Sequence, residues 1–260
     1  HEVVCCVRDK SRFNLERYNS PDLTVIEANF LDESTLNQIP DDIDAVYYLI
    51  HSMSTSTGDF AKMEDVSARY FKSRIEQTSA TQVIYLSGIT NNDQLSKHLN
   101  SRKNVEEILK SDKYALTTLK AGIIIGSGSA SFEIIRDLVE KLPLIIAPRW
   151  INTRSQPIAI RNVIDYLLGV LNNKPTYNNS YDIGGFEVLT YKEMLLRFAK
   201  VRGLKRRIWV VPVITPRLSS YWLYLITSTS YSLAIHLVNS MKVEIVCREN
   251  RLNDLIGKIQ

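Results

Sequence analysis

Short apolar runs, separated by stretches of helical period, decide what this chain can fold into. Val3 to Val7, Leu23 to Ile26, Ala45 to Ile50, Val83 to Leu86, Ala115 to Leu119 and Ile123 to Ile125 are nearly continuous and rich in Val, Ile and Tyr. That is the pattern of strands covered on both faces. Phe60, Met63, Ser67, Tyr70, Phe71 and Ile75 recur at steps of three and four, which predicts a helix over 59–79 with its bulky groups on one face. Leu99, Val105, Ile108 and Leu109 mark a second amphipathic stretch. Strands alternating with helices predict β-α-β units, right-handed crossovers and a parallel sheet.

The rhythm changes after about residue 126. Phe132, Ile135, Leu138 and Val139 form an amphipathic helix, followed by Leu144-Ile145-Ile146, and Ile160, Ile164, Leu167, Leu168 and Leu171 form the next. Thr190 and Glu193 have capping-box spacing, opening a helix through Leu195, Phe198 and Val201 that stops at Gly203. These elements predict a smaller α+β lobe over 127–260, partly interleaved with the sheet of 1–126. With 260 residues and 45% apolar content, the chain holds a core that needs neither disulfides nor a structural metal.

Charge and cysteine content exclude several function classes. A net charge of +4 gives no footprint for nucleic acid. Arg202, Lys205, Arg206 and Arg207 follow the Gly203 stop, where cations suit the negative end of a helix, and no nucleic-acid motif accompanies them. The three cysteines form no C-x-x-C pair and the four histidines do not cluster, so no zinc site is expected. Cys5 and Cys6, inside an apolar run, read as buried thiols, which with no secretory signal predicts a reducing, cytoplasmic setting. Because a core-like run begins two residues after His1, an internal start with an upstream segment absent is expected. Between Arg217 and Lys242 no residue is charged apart from His236, but Ser, Thr and Asn interrupt the run. A buried or oligomer-facing helix pair over 218–241 is the reading adopted, with membrane contact as the alternative.

The loop after the first strand is Arg8-Asp9-Lys10-Ser11-Arg12. In a dinucleotide fold, cations at such a position accommodate a ribose 2′-phosphate, whereas an acid there accepts from the 2′-hydroxyl. Arg8, Lys10 and Arg12 therefore point to NADP rather than NAD. The alternative is a solvated basic loop.

At this point the residues resemble a family. VVCCVRDKSRF, EANFLDESTL, DAVYYLIHSM, VIYLSGIT and TLKAGIIIGSGSASFE, in that order, resemble atypical short-chain dehydrogenases. The likeness is to NAD(P)-binding proteins of the sugar-nucleotide epimerase/dehydratase and NmrA-like type. IGGFEVLTYKEML resembles their C-terminal lobe, so the likeness runs from residue 3 to about 210. The resemblance implies a Rossmann-like, doubly wound parallel sheet, N-terminally incomplete. Its first strand, glycine-rich turn and first helix would precede His1, and dinucleotide binding is expected to be impaired without them. Gly126-Ser127-Gly128 lacks the third glycine and is read as a loop.

The resemblance also implies roles. Asn29, Phe30 and Leu31 would border adenine, with Asn29 where the family often has Asp. Leu49, Ile50, His51 and Ser52 would end the strand that passes the phosphates and ribose. His51 reads as a hydrogen-bond donor rather than a general acid. Lys120, Ala121 and Gly122 resemble the family's Arg-Pro-Gly, whose backbone lies near nicotinamide, and Gln156-Pro157-Ile158 would border the substrate cleft.

Ser87 stands at the family's strand-end serine. The family's Tyr-x-x-x-Lys pair falls on His98 and Arg102, with the four-residue spacing kept. His98 can exchange a proton near neutral pH, whereas Arg102 holds its charge. Oxidoreductase or epimerase-type chemistry on a small hydroxyl or carbonyl substrate is expected. Ser87 would orient the oxygen, His98 would move the proton, and Arg102 would hold ribose or stabilise developing charge. The alternatives are a non-catalytic NADP-binding regulator or assembly protein, and a solvated helix face carrying His98 and Arg102. A homo-oligomer is compatible with the aromatic tail.

Overall fold

A computed structural model describes residues 1–18, 20–50, 60–89, 97–211, 238–239, 241–249 and 251–257; at 15, 60 and 97–100 it describes the backbone alone. The centre is a four-stranded, all-parallel sheet. β3 (Ala45–Tyr48), β4 (Gln82–Gly88), β5 (Ala115–Ala121) and β10 (Asn179–Ile183) lie in the order β10-β5-β4-β3. Helix α1 (Phe60–Ile75) links β3 to β4, and α2 (Lys97–Leu109) links β4 to β5.

Alternation along β4 shows why both faces of this sheet are covered. Val83 and Tyr85 enter a core with Phe71 and Ile75 of α1 and Val105 and Leu109 of α2. Ile84, on the opposite face, packs with Val163, Tyr166 and Val170 of α4 (Ile160–Val170). The buried Gln82 ties the strand's start to that helix's end, donating to the Val170 carbonyl at 2.9 Å and accepting from Asn172 N–H at 2.8 Å. Helices on both faces of a parallel sheet make the fold doubly wound, as the family resemblance implies.

β1 (Val3–Val7) and β2 (Leu23–Glu27) form a separate parallel pair, in register from Val3↔Leu23 to Val7↔Glu27. The chain leaving β2 joins the first core through Ala28 and Phe30, whose ring lies 5.9 Å from that of Phe71. β1 differs from the expectation of a strand covered on both faces. None of its residues is fully buried, Cys5 is half-buried and Cys6 exposed. The reason is its pairing: among the described strands β1 has β2 on one edge and nothing on the other. Both thiols are free.

The remaining elements are β6 (Ile124–Ile125), α3 (Ala130–Lys141), β7 (Leu144–Pro148), β8 (Arg154–Ser155), β9 (Ile158–Ala159), β11 (Leu189–Thr190), α5 (Tyr191–Val201), β12 (Arg207–Val211) and a short terminal helix, α6 (Leu252–Ile256). β12 pairs parallel with β7, and β6 with β9, while β11 and β8 are antiparallel. A third core joins Ile135, Leu138 and Val139 of α3 to Met194, Leu195 and Ala199 of α5. The capping box forms as its spacing predicts, with Glu193 N–H donating to Thr190 Oγ1 at 3.1 Å and Thr190 N–H donating to the Glu193 carboxylate at 2.7 Å.

The basic cluster serves a different helix end from the one its sequence position indicates. Arg206 donates to the carbonyls of Val139 and Glu140, and Arg202 pairs with the Glu140 carboxylate at 3.0 Å, all at the C-terminus of α3. Packing of α3 on α5 brings that carbonyl-rich end to the cations. Among the described residues no helix is long and apolar enough to cross a membrane. Most of 218–241 lies outside the described residues.

Candidate functional site

The carboxyl ends of β3, β4, β5 and β6 open onto a cavity of about 600 Å³. Its floor is set by β4, whose Tyr85 and Ser87 point to the same face because they lie two positions apart. Both are almost fully buried, with the Ser87 hydroxyl acting on the Tyr85 phenol. From α2, Arg102 lays its guanidinium against Gly88, so a Cβ there would lie 3.3 Å from its terminal nitrogen. From α1, Glu64 is buried at the cavity's edge and accepts from Ser101 Oγ.

These groups set the state of the phenol. Burial raises the pKa of Tyr85 above the ordinary tyrosine range. The Ser87 hydrogen bond and the Arg102 charge pull it back, while Glu64 and Glu106 push it up. At neutral pH Tyr85 is an uncharged hydroxyl beside Ser87. Tyr48, also on the lining, is held neutral by burial and by Tyr85 and Glu64.

A second polar group lies behind this floor. Lys120 Nζ pairs with Glu106 Oε2 at 2.9 Å, and Ser180 donates to the other carboxylate oxygen. This network ties α2 to β5 and β10 together, so it holds the helix that carries Arg102.

The opposite wall is the turn Gly126-Ser127-Gly128-Ser129 and the first residues of α3. Ser129 caps that helix by accepting from Phe132 N–H, and Glu133 accepts from Gly128 N–H, each at 3.4 Å. Gly122 lies where β5 meets the segment before β9. A Cβ at this position would be 2.2 Å from the Gln156 carbonyl oxygen, so only glycine fits without displacing backbone.

The residues singled out from the sequence fall into groups. Ser87, Arg102, Leu49, Ala121 and Gly122 all line the cavity, as does Ile50. Lys120 does not, its side chain being engaged by Glu106. Gln156 is turned to Gly185 and Cys247, donating to the first at 2.6 Å and accepting from the second at 3.0 Å. Arg8, Lys10 and Arg12 are exposed in the turn after β1, whose shape is fixed by Asp9 accepting from Ser11. Asn29 holds the loop after β2 by accepting from Leu31 N–H at 3.2 Å, Leu31 is exposed, and Phe30 turns toward Phe71. His98 lies in the first turn of α2, its side chain outside the description, and His51 and Ser52 lie outside the described residues.

Sequence reasoning missed Tyr85, Glu64 and the wall at Gly126–Ser131. Two of these had a signal. Tyr85 precedes Ser87 by one strand period, and Glu64 lies three and seven residues before Ser67 and Phe71, on the buried face of α1. Among the described residues no group of three or more His, Cys, Asp or Glu could hold a metal.

No family model and no curated protein matches this sequence. Solved structures do match. A nucleoside-diphosphate-sugar epimerase from Staphylococcus aureus superposes with a TM-score of 0.74 at 11% identity, over 98% of this chain and 86% of that one. The triphenylmethane reductase of Citrobacter sp., solved with NADP(H), gives 0.76 at 12% identity, over 99% and 86%. The UDP-glucuronic acid 4-epimerase from Bacillus cereus, in complex with UDP-glucuronic acid and NAD, gives 0.59 at 15% identity, over 87% and 84%. The chain has their Rossmann-type fold. At these identities the likeness is one of fold, and it agrees with the family resemblance carried by the ordered motifs. In a Rossmann-type sheet, ligands bind outside the carboxyl ends of the strands, where this cavity lies.

Proposed function

We propose that this chain is an NAD(P)-dependent protein of the atypical short-chain dehydrogenase type. Its cavity takes the nicotinamide end of the cofactor and a small hydroxyl or carbonyl compound. One observation carries the reading: Ser87, Arg102, Leu49, Ala121 and Gly122, far apart in the chain, converge on a single cavity at the carboxyl edge of a parallel sheet. Neighbours of the same fold solved with NADP(H) and with NAD support a nicotinamide cofactor.

When bound, that cofactor supplies hydride transfer. The chain's own residues orient the substrate and manage charge. Ser87, beside the neutral Tyr85 hydroxyl, donates to or accepts from the substrate oxygen. Arg102 stabilises negative charge developing there, in a site where burial strengthens the effect. His98, four residues earlier on α2, is the proposed proton carrier. Arg8, Lys10 and Arg12 are the proposed seat of a 2′-phosphate, with Asn29, Phe30 and Leu31 toward adenine and His51 and Ser52 toward the phosphates.

The test is a comparison of NADPH and NADH binding to the same chain, in which the ratio carries the result. Charge-assisted contacts contribute about 1.5–3 kcal/mol each, so NADPH is expected to bind roughly 10–100-fold tighter. Arg8→Asp should erase most of that ratio. Equal losses for both cofactors would remove the 2′-phosphate assignment. A second reading, a non-catalytic NADP-binding regulator or assembly protein, is favoured by Arg102, whose guanidinium does not release a proton. NADPH binding with no turnover on a panel of aldehydes and ketones would select it.

A further inference from the structure

We infer that the compound held beside Ser87 is uncharged and largely apolar, a hydrophobic ketone or its alcohol, and not a nucleotide-diphosphate sugar. This rests on the reading above that the cavity is the ligand site.

Charge is the first argument. Among the described lining residues there is one cation, Arg102, and one carboxylate, Glu64. Both bear on the Tyr85 hydroxyl with opposite sign, so the cavity carries no net charge from these groups. A diphosphate brings two negative charges, and burying them without matching cations costs several kcal/mol.

The helix end on the wall is as poorly suited to a diphosphate. The N-terminus of α3 is where an incoming anion would find unpaired amides and a favourable dipole. Here that end is already served from within the chain. Ser129 takes Phe132 N–H, and the Glu133 carboxylate takes Gly128 N–H while also pairing with Arg136. An added phosphate would meet Glu133 at close range. Of the first-turn amides, Phe132 N–H is taken by the Ser129 hydroxyl and Glu133 N–H by the Ser129 carbonyl, which leaves an anion fewer donors there.

The walls complete the case. Leu49, Ile50, Leu86, Ile89, Ile124 and Ile160 line the cavity, and they offer a ligand surface without hydrogen-bonding groups. Ser87 and Tyr85 are only 4% and 3% exposed, enough to meet one oxygen atom but not the ring of hydroxyls on a sugar. Each sugar hydroxyl left unpaired in such a site would cost roughly 1–3 kcal/mol. An apolar body with one carbonyl fits the Leu and Ile walls and the Ser87 hydroxyl, and makes no demand on Ser127, Ser129 and Ser131 across the cavity.

The experiment is calorimetric titration of the whole chain with 1-indanone, 9-fluorenone and UDP-glucose, each with and without saturating NADPH. Both ketones should bind roughly tenfold or more tighter than UDP-glucose. Leu49→Asp and Ile160→Asp, at positions 55% and 43% exposed where the fold tolerates charge, should each weaken the ketones by roughly tenfold with the thermal midpoint unchanged. UDP-glucose binding as tightly as the ketones, neither ketone binding under either condition, or both variants binding ketone like the parent would each overturn the inference. The NADPH titration is read separately. Ketone binding with no NADPH binding at any attainable cofactor concentration defeats the cofactor reading and leaves the ligand class standing. NADPH binding with a preference for UDP-glucose does the reverse.

Discussion

Gly122→Ala should be among the most damaging single-methyl additions in this molecule. The new Cβ would lie 2.2 Å from the Gln156 carbonyl oxygen, whereas carbon–oxygen contacts normally close at about 3.3 Å. One backbone segment must therefore retreat by roughly 1 Å. Neither is free to do so. Gly122 N–H donates to the Ile183 carbonyl at 3.1 Å, and Gln156 N–H to the Ile245 carbonyl at 2.7 Å. The Gln156 side chain is also held at both ends, by Gly185 and Cys247. Overpacking of this kind costs about 1–3 kcal/mol, and fixed backbone on both sides puts this site at the upper end. For a chain of this length about 3 kcal/mol corresponds to a fall in Tm of roughly 6–12 °C. Gly88→Ala is the matched control, since Gly88 lies beside Ala121 in the sheet and its added methyl would meet only the mobile end of Arg102. It should stay within about 1 kcal/mol of the parent. Urea unfolding followed by tryptophan fluorescence and far-ultraviolet circular dichroism measures both. Equal midpoints for the two variants at equal m-values would refute the close-approach argument.

Three further outcomes are expected. Glu106→Gln leaves Lys120 half-shielded without a carboxylate and should cost about 3 kcal/mol in urea unfolding; adding Lys120→Met should restore most of it, and strict additivity would show the pair does not interact. Thr190→Ala removes the cap of α5 and should cost about 1 kcal/mol, with an unchanged midpoint counting against the capping box. Burial raises the pKa values of Tyr48, Tyr85, Tyr114 and Tyr191, so their contribution to stability is complete below the unfolded value of about 10 and is lost as pH rises beyond it. Absorbance at 295 nm should show these phenols ionising only as the chain unfolds; all 13 tyrosines titrating near pH 10 with the circular dichroism intact would contradict this.

What could be read from the sequence was whatever is coded by local period. The runs at Val3, Ala45, Val83 and Ala115 became parallel strands, and Thr190 and Glu193 closed a capping box, because side-chain alternation and capping depend on neighbours within a few residues. β10 was not legible. Asn179 to Ile183 carries only Tyr181 and Ile183 as apolar residues, and its place beside β5 is set by tertiary pairing. The same holds for the site. Ser87 could be located from its strand end, but the role of Glu64 depends on which helix face is buried, and that of Lys120 on a partner provided by α2. Arg206 is the clearest case, since its binding to the end of α3 follows from helix packing that no short-range pattern records.

The position of β10 has a practical consequence for anyone dividing the molecule. The sheet begun by the first half is closed by a ribbon delivered from the second, and α4, from beyond residue 126, roofs Ile84 and Leu119. A fragment severed at that residue would present a raw edge of β5 and an uncovered apolar face, and should aggregate unless the other piece is supplied with it. Cut and engineered, the two halves have to travel as one unit.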